Sequence, residues 1–421
     1  MPEPTKILEA LHTEKADGVL RKLYGSKPAR LHRQRQRYAG LVQKFTALFP
    51  GRDDVKLFST PGRTEVGGNH TDHNAGRVLA AAVDLDAIAA VAKHDEGIIR
   101  VQSEGYPQCI INTGELSAVE SERYTSSALI RGVCARMKQL GYNIGGFDAC
   151  VTSDVLKGSG LSSSAAFEVL VATILNHLYN GGQIDDISVA QISQYAENNY
   201  FGKPCGLMDQ TTCAVGGFVT IDFRDFKNPI VKKVGFDFAA SGFLMVIVDT
   251  GGTHADLNED YAALEHEMKE VARAFGGQVL REFSQEKVLN NIPYLRSKVN
   301  DRAILRAFHF YDDDRRVVDQ VAALEKNDFN QFLSLVTESG HSSWMLCQNC
   351  YSHKNIEEQG ISVALAVTER LLKGRGAWRV HGGGFAGTIQ AFVPGDLLGQ
   401  YMAHMQAIFG EDSCHELMIR P

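Results

Sequence analysis

The sequence predicts an α+β fold of two domains, and three observations carry that expectation. Strand-like and helical segments are mixed without the regular alternation of a doubly wound sheet. The 421 residues exceed what one hydrophobic core usually organises, and the character of the segments changes around Gly216. The expected divisions are a helical extension over 1–35, a first domain over 36–215 and a second over 216–421. No Pro-rich or low-complexity linker and no internal repeat interrupts them.

Taken in order, Ile7, Leu8 and Leu11 within charged surroundings read as helix, and Arg30, Arg33, Arg35 and Arg37 as a solvated face. From Lys56 the pattern turns strand-like, with segments at Val78–Ala92, Ile98–Ser103 and the alternating Phe147–Ser153. Phe167, Leu170, Val171, Ile174, Leu175 and Leu178 recur at helical spacing after Ser164. A second helix spans about Ser188–Tyr200, its start marked by Asp185, Asp186 and Ser188. Phe218–Phe223 and the almost wholly apolar Phe243–Asp249 read as strands, the latter buried. Tyr261, Leu264, Met268, Val271 and Phe275 define an amphipathic helix, Ile361–Leu372 another, and Thr388–Val393 a last strand.

A formal net charge of -7 supplies no polybasic surface, which argues against a nucleic-acid or anionic-membrane binder. No apolar run is long enough to span a bilayer, and Met1–Lys22 is too charged for a secretory signal, so a cytoplasmic protein is expected. The eight cysteines lack the density of a disulfide scaffold and read as reduced. Cys347-x-x-Cys350, with His341 and His353 nearby, has ligand-like spacing, but one pair without a second reads as structural cysteines.

Four segments carry chemistry. Residues 158–166, Gly-Ser-Gly-Leu-Ser-Ser-Ser-Ala-Ala, join a glycine loop to a helix start, where free N–H groups and the helix dipole favour anions. Gly158, Ser159, Gly160, Leu161, Ser162, Ser163 and Ser164 can thus hold a nucleotide's phosphates, with one serine available to Mg²⁺; an ordinary N-capped turn has the same composition. No Gly-Lys-Ser/Thr follows at Walker spacing. Pro61–Asn74 reads as a short loop dense in polar side chains, with Asn69, His70 and Asp72 suited to vicinal hydroxyls. Cys205-Gly-Leu-Met-Asp-Gln210 sets Asp209 in apolar company, as a cap or a catalytic group, and Gly382–Gly387 permits close backbone approach.

In this order the four segments resemble the galactose-homoserine-mevalonate-phosphomevalonate (GHMP) kinase superfamily, most closely its galactokinases, over roughly residues 35–421. The resemblance implies a two-domain GHMP kinase fold: a ribosomal-S5-like N-terminal domain, a C-terminal α+β domain, and the active site between them. It implies an ATP- and Mg²⁺-dependent sugar 1-kinase, monomeric or weakly homo-oligomeric. Arg63 matches the arginine beside the reacting hydroxyl, Asp209 the carboxylate that accepts or assists its proton, and Ser164 and Glu197 the Mg²⁺ ligands. Gly158–Ser164 match the triphosphate loop, and Asn69, His70, Thr71, Asp72 and Tyr261 fall where the family binds its sugar. Some relatives are non-catalytic sensors, but Arg63, Asp209 and the alanines after the serines are all present here.

Two departures mark this chain. Asn69 stands where the family has a glutamate that contacts the sugar's C6 hydroxyl, and His73 where it has a tyrosine. Losing that acid lifts a repulsion toward a C6 carboxylate, so a C6- or C2-modified analogue such as galacturonate or N-acetylgalactosamine is the expected alternative to galactose. The segment near 338–353 begins like the family's helix with Glu338-Ser-Gly-His341, then continues differently, and reads as packing.

Overall fold

The computed structural model describes residues 3–155, 161–252 and 257–421. Three helices lead: α1 (Glu3–Ala10), α2 (Glu14–Tyr24), capped by Thr13 on the Ala16 amide, and α3 (Pro28–Leu48). Pro28 opens α3 where a missing N–H costs nothing. Tyr24, Leu31, Tyr38, Leu41 and Phe45 pack on Val55, Ile88, Ala90 and Cys150, so the leading helices cover a sheet. Of the four arginines Arg33 stays exposed, while Arg30, Arg35 and Arg37 are sheltered rather than solvated. Arg30 meets Asp84 at 2.6 Å, Arg33 Asp154 at 2.9 Å, Arg37 Asp86 at 2.5 Å, and Arg35 pairs with Asp17. Most of these acids lie 49–121 residues away, beyond any local charge pattern.

The first sheet uses β1 (Val55–Gly67), β2 (Arg77–His94), β3 (Ile98–Ser103), β4 (Cys109–Asn112), β5 (Gly146–Ser153), β6 (Phe218–Asp222) and β7 (Ile230–Val234). Its order is β4-β3-β5-β2-β6-β7 with β1 on the other edge of β2; only β3 and β5 run parallel. Between these strands come α4 (Ser126–Gln139), α5 (Ser163–Tyr179), α6 (Asp186–Ala196), continued by a wider turn over Glu197–Phe201, and α7 (Met208–Val215). Asp185 caps α6 on the Ser188 amide. β2 is buried on both faces, under α3 and α5, which is why it reads as Ala/Val-rich on either side of Asp84 and Asp86.

The second sheet has the antiparallel order β11-β8-β10-β9, from β8 (Phe243–Asp249), β9 (Ala377–His381), β10 (Thr388–Pro394) and β11 (Cys414–Leu417). Its helices are α8 (Asn258–Ala274), α9 (Gln285–Asn290), α10 (Ile292–Arg296), α11 (Asp301–Glu325), α12 (Phe329–Ser342), α13 (Gly360–Leu372) and α14 (Leu398–Phe409). α13 and α14 cover one face around Trp378 and Tyr401. α12 covers the other, with α11 packed between it and β2, in a core that runs unbroken from Leu170 to Phe332 and Phe392.

The change of character at 216 does not coincide with the edge of the first sheet, because β6 and β7 lie beyond it. The chain end also returns there: Asp84 N–H donates to Met418 O at 3.1 Å and Arg420 N–H to Ala82 O at 2.9 Å. These bonds fill the gap along β2 between its pairings with β6 and β5. Among the described residues no helix is long and apolar enough to cross a membrane.

Candidate active site

Arg63 lies on a strand, not in the polar loop expected for Pro61–Asn74. β1 runs to Gly67, and its register on β2 shifts between Pro61 and Arg63. At that shift β1 meets the start of α5, where Arg63 N–H donates to Leu161 O at 3.2 Å. Gly62 permits the approach, since a Cβ there would stand 3.1 Å from the same oxygen. The Arg63 side chain reaches Asp209 in the first turn of α7 as a two-pronged pair, Nε to Oδ1 at 2.6 Å and Nη2 to Oδ2 at 2.7 Å. Ser162, in the left-handed conformation at φ 56°, donates its hydroxyl to the same Asp209 Oδ2. Burial pushes the Asp209 carboxyl up, but the charge and hydrogen bonds of Arg63 outweigh it and hold the group below its usual value. With side chains 10% and 25% exposed, the pair is sheltered yet reachable.

Ser164 and Glu197, the expected metal ligands, also meet: Ser164 Oγ donates to Glu197 Oε1 at 2.8 Å. Gln210 Nε2 donates to Glu197 Oε2 and to Glu168 Oε1, both at 2.8 Å. Glu168 is fully buried, and burial together with the Glu197 charge pushes its carboxyl well up. Its second oxygen, Oε2, is buried without a hydrogen-bond partner. Of the expected phosphate loop, Gly158, Ser159 and Gly160 lie outside the described residues. Leu161 is a fully buried core residue whose carbonyl serves Arg63, and Ser163 opens α5 half-buried.

Past β1 the chain turns through Gly68 at φ +83°, where a Cβ would stand 2.3 Å from Arg77 O. The following side chains divide by what they touch. Asp72 is partly exposed, and a Cβ on Gly206 would stand 3.5 Å from its Oδ2, so this turn abuts the Asp209 loop. His70 donates from Nε2 to Gly383 O at 3.0 Å. Burial, with His73 beside it, pushes His70 down to about 4. Tyr261 donates to Gly384 O at 2.8 Å and stands edge-on to Phe385, so the glycine run between β9 and β10 joins the same cluster.

Asn69 and Thr71 do not match the expectation of sugar contact, because both are fully buried with side chains spent inside the protein. The Asn69 amide donates to Glu65 Oε1 at 3.0 Å and Gly382 O at 2.9 Å, and its oxygen accepts from Asn349 at 2.8 Å and Ser343 at 3.3 Å. Thr71 Oγ1 bonds Gly68 O and Arg77 O. The argument for a modified sugar required Asn69 to face the ligand, and this geometry removes it.

The same network explains the divergent segment near 338–353. Ser342 bonds His309 Nδ1 at 2.8 Å, His309 Nε2 donates to Asn69 O at 2.9 Å, and the Asn69 backbone N–H donates to Asp313 Oδ2 at 2.8 Å. Glu65 is matched by Arg379 at 2.6 Å, both buried. Glu65, Glu168, Gln210, His309, Asp313, Asn349 and Arg379 escape sequence reading, since a buried polar residue announces itself only through partners far along the chain. Cys347 and Cys350 are buried and unpaired, as expected for structural cysteines. Among the described residues no group of three or more His, Cys, Asp or Glu is placed to hold a metal ion.

Residues 43–93 match the galactokinase galactose-binding signature, and residues 128–217 the GHMP kinases N terminal domain. A galactokinase of Streptomyces coelicolor is 30% identical over 359 residues, covering 84% of this chain and 89% of that protein. The crystal structure of Lactococcus lactis galactokinase complexed with galactose superposes with a TM-score of 0.75 at 22% identity, over 90% of this chain and 96% of that one. Methanococcus jannaschii mevalonate kinase shares the fold at a TM-score of 0.63 and 15% identity, over 87% and 99%. The chain belongs to the galactokinase family of the GHMP kinases.

Proposed function

We propose that the protein transfers the γ-phosphate of ATP to the anomeric hydroxyl of D-galactose, giving α-D-galactose 1-phosphate, ADP and a proton. The observation that carries this reading is the sheltered Arg63–Asp209 pair beside the serine turn of α5. Phosphoryl transfer is governed by positioning and charge stabilisation, so the site needs a base or orienting acceptor for the hydroxyl and fixed cations for the phosphate oxygens. Asp209, held ionised by Arg63, takes or orients the proton of the hydroxyl while its oxygen attacks the γ-phosphorus in line and the bond to the ADP oxygen breaks. Arg63 remains cationic throughout and faces the charge that builds on the transferring group. Asp72 and Tyr261 are the side chains we assign to the sugar hydroxyls, with His70 ordering the glycine turn beside them.

Ser164 and Glu197 suit Mg²⁺: both are hard oxygen donors 2.8 Å apart, and this ion needs few protein ligands because it keeps waters and takes phosphate oxygens. Bound there, it would neutralise the charge of the nucleotide's phosphates. The N-terminus of α5 and the Ser163 hydroxyl are the groups left to meet the phosphates. A cytosolic location fits this reading, since ATP is available there and the eight unpaired cysteines stay reduced. The test is ADP release across a sugar panel of galactose, galacturonate, N-acetylgalactosamine and glucose, with the product phosphate located by ³¹P NMR. Galactose is expected to give the highest kcat/KM; ADP release independent of galactose would sink the proposal.

A further inference from the structure

Ser164 and Glu168 stand one turn apart on α5 and so project from one face of the helix. Glu197 approaches from the end of α6, and Gln210 from α7, immediately after Asp209. The Gln210 amide nitrogen carries two hydrogens, and both are spent, one on Glu168 Oε1 and one on Glu197 Oε2. That fixes the inner oxygen of Glu197 and leaves Oε1 turned to Ser164. Glu168 and Gln210 are 0% exposed and Glu197 is 2% exposed, so water does not compete for these bonds. Packing alone is a poor reason for the arrangement: an apolar residue would fill the space without the cost of burying a carboxyl. The cluster also leaves Gln210 Oε1 buried without a partner, a defect that persists where geometry is needed for something else.

We propose that Glu168 is a positioning residue. Through Gln210 it holds the Glu197 carboxylate facing Ser164 and keeps it at a fixed separation from Asp209. Glu168 touches neither substrate; it orients the group that would hold the divalent cation. The inference rests on the reading of Ser164 and Glu197 as the metal-holding pair.

The test is calorimetric binding of a non-hydrolysable ATP analogue, with Mg²⁺ titrated and with EDTA, for the wild type, Glu168→Leu, Glu168→Gln, Gln210→Leu and Glu197→Gln. The metal-dependent gain in affinity should fall about ten- to a hundredfold in Glu168→Leu and Gln210→Leu, the range for groups that orient a metal ligand. Affinity in EDTA should not change. Glu168→Gln should recover most of the gain, since its amide oxygen can still accept from Gln210 as Glu168 Oε1 does. A purely structural role would lower the melting temperature and leave the metal dependence intact. Wild-type metal dependence in Glu168→Leu, or in Gln210→Leu if the former does not fold, overturns the proposal when Glu197→Gln has lost that dependence. If Glu197→Gln also keeps it, the assignment of the metal pair fails and this proposal falls with it.

Discussion

Asp209 illustrates how two opposed effects are decided at one residue. Burial alone would raise its pKa, yet Arg63 supplies charge and two short hydrogen bonds, and the net direction is down. Replacing Arg63 by leucine removes the lowering influence and leaves the burial. The acid limb of the kcat–pH profile should therefore move to higher pH, and an unmoved limb would show that Arg63 does not set the ionisation of Asp209. His70 carries a second pH effect. Its value falls from 6.5 to about 4 on folding, so the unfolded chain binds more protons between those limits. The stability it contributes is complete above pH 6.5 and is lost as pH falls toward 4. His70→Gln should flatten the melting temperature over that interval relative to the wild type, and an unchanged slope would contradict the burial argument. Arg63, Ser164, Glu197 and Asp209 were singled out by the motif resemblance rather than by residue type alone, and the structure brings them together as the pairs Arg63–Asp209 and Ser164–Glu197. Asn69 was misread because Ser343 and Asn349, which take up its oxygen, lie 274 and 280 residues away.

Elements with strong periodicity, such as β8 and α5, follow directly from the sequence. β1 did not, since Pro61, Gly62 and Gly67 mimic a turn while the strand absorbs them at its register shifts. α12 shows why a helical glycine can be needed. Gly340 lies where α12 crosses β9, and a Cβ there would stand 2.6 Å from Trp378 O. Alanine gains about 1 kcal/mol of helix propensity, while overpacking against backbone costs about 1–3 kcal/mol. The clash should prevail, because a backbone carbonyl on a strand paired with β10 cannot swing aside as a side chain can. Gly340→Ala should unfold at lower denaturant concentration than the wild type; equal or greater stability would mean that α12 shifts at no cost.

For the molecule as a whole, composition and the mixture of segments revealed the α+β class, and four motifs the family. Sheet membership was not legible, because pairing of β6 and the chain end with β2 is non-local and no single segment encodes its partner. The chain end is a structural clasp. Arg420 meets Asp86 at 3.0 Å and Ser59 at 2.7 Å, beneath the leading helices whose Arg37 and Tyr24 bond the same carboxylate. Asp86 keeps Arg37 when Arg420 is lost, so Arg420→Met should cost about 1.5–3 kcal/mol, the range for a hydrogen bond to a charged group. Chemical denaturation measures this directly. A loss under ~0.5 kcal/mol would show that the end of the chain is not holding the sheet and its helical cover together.

The central claim is that Asp209, kept ionised by Arg63, acts on the anomeric hydroxyl of galactose. Single-turnover phosphorylation of galactose by the wild type and by Asp209→Asn, with galactose affinity measured alongside, tests it most directly. The account predicts galactose binding within a few-fold of the wild type, and phosphoryl transfer slower by about a hundred- to ten-thousandfold. Transfer at a near wild-type rate in the Asn variant would contradict it.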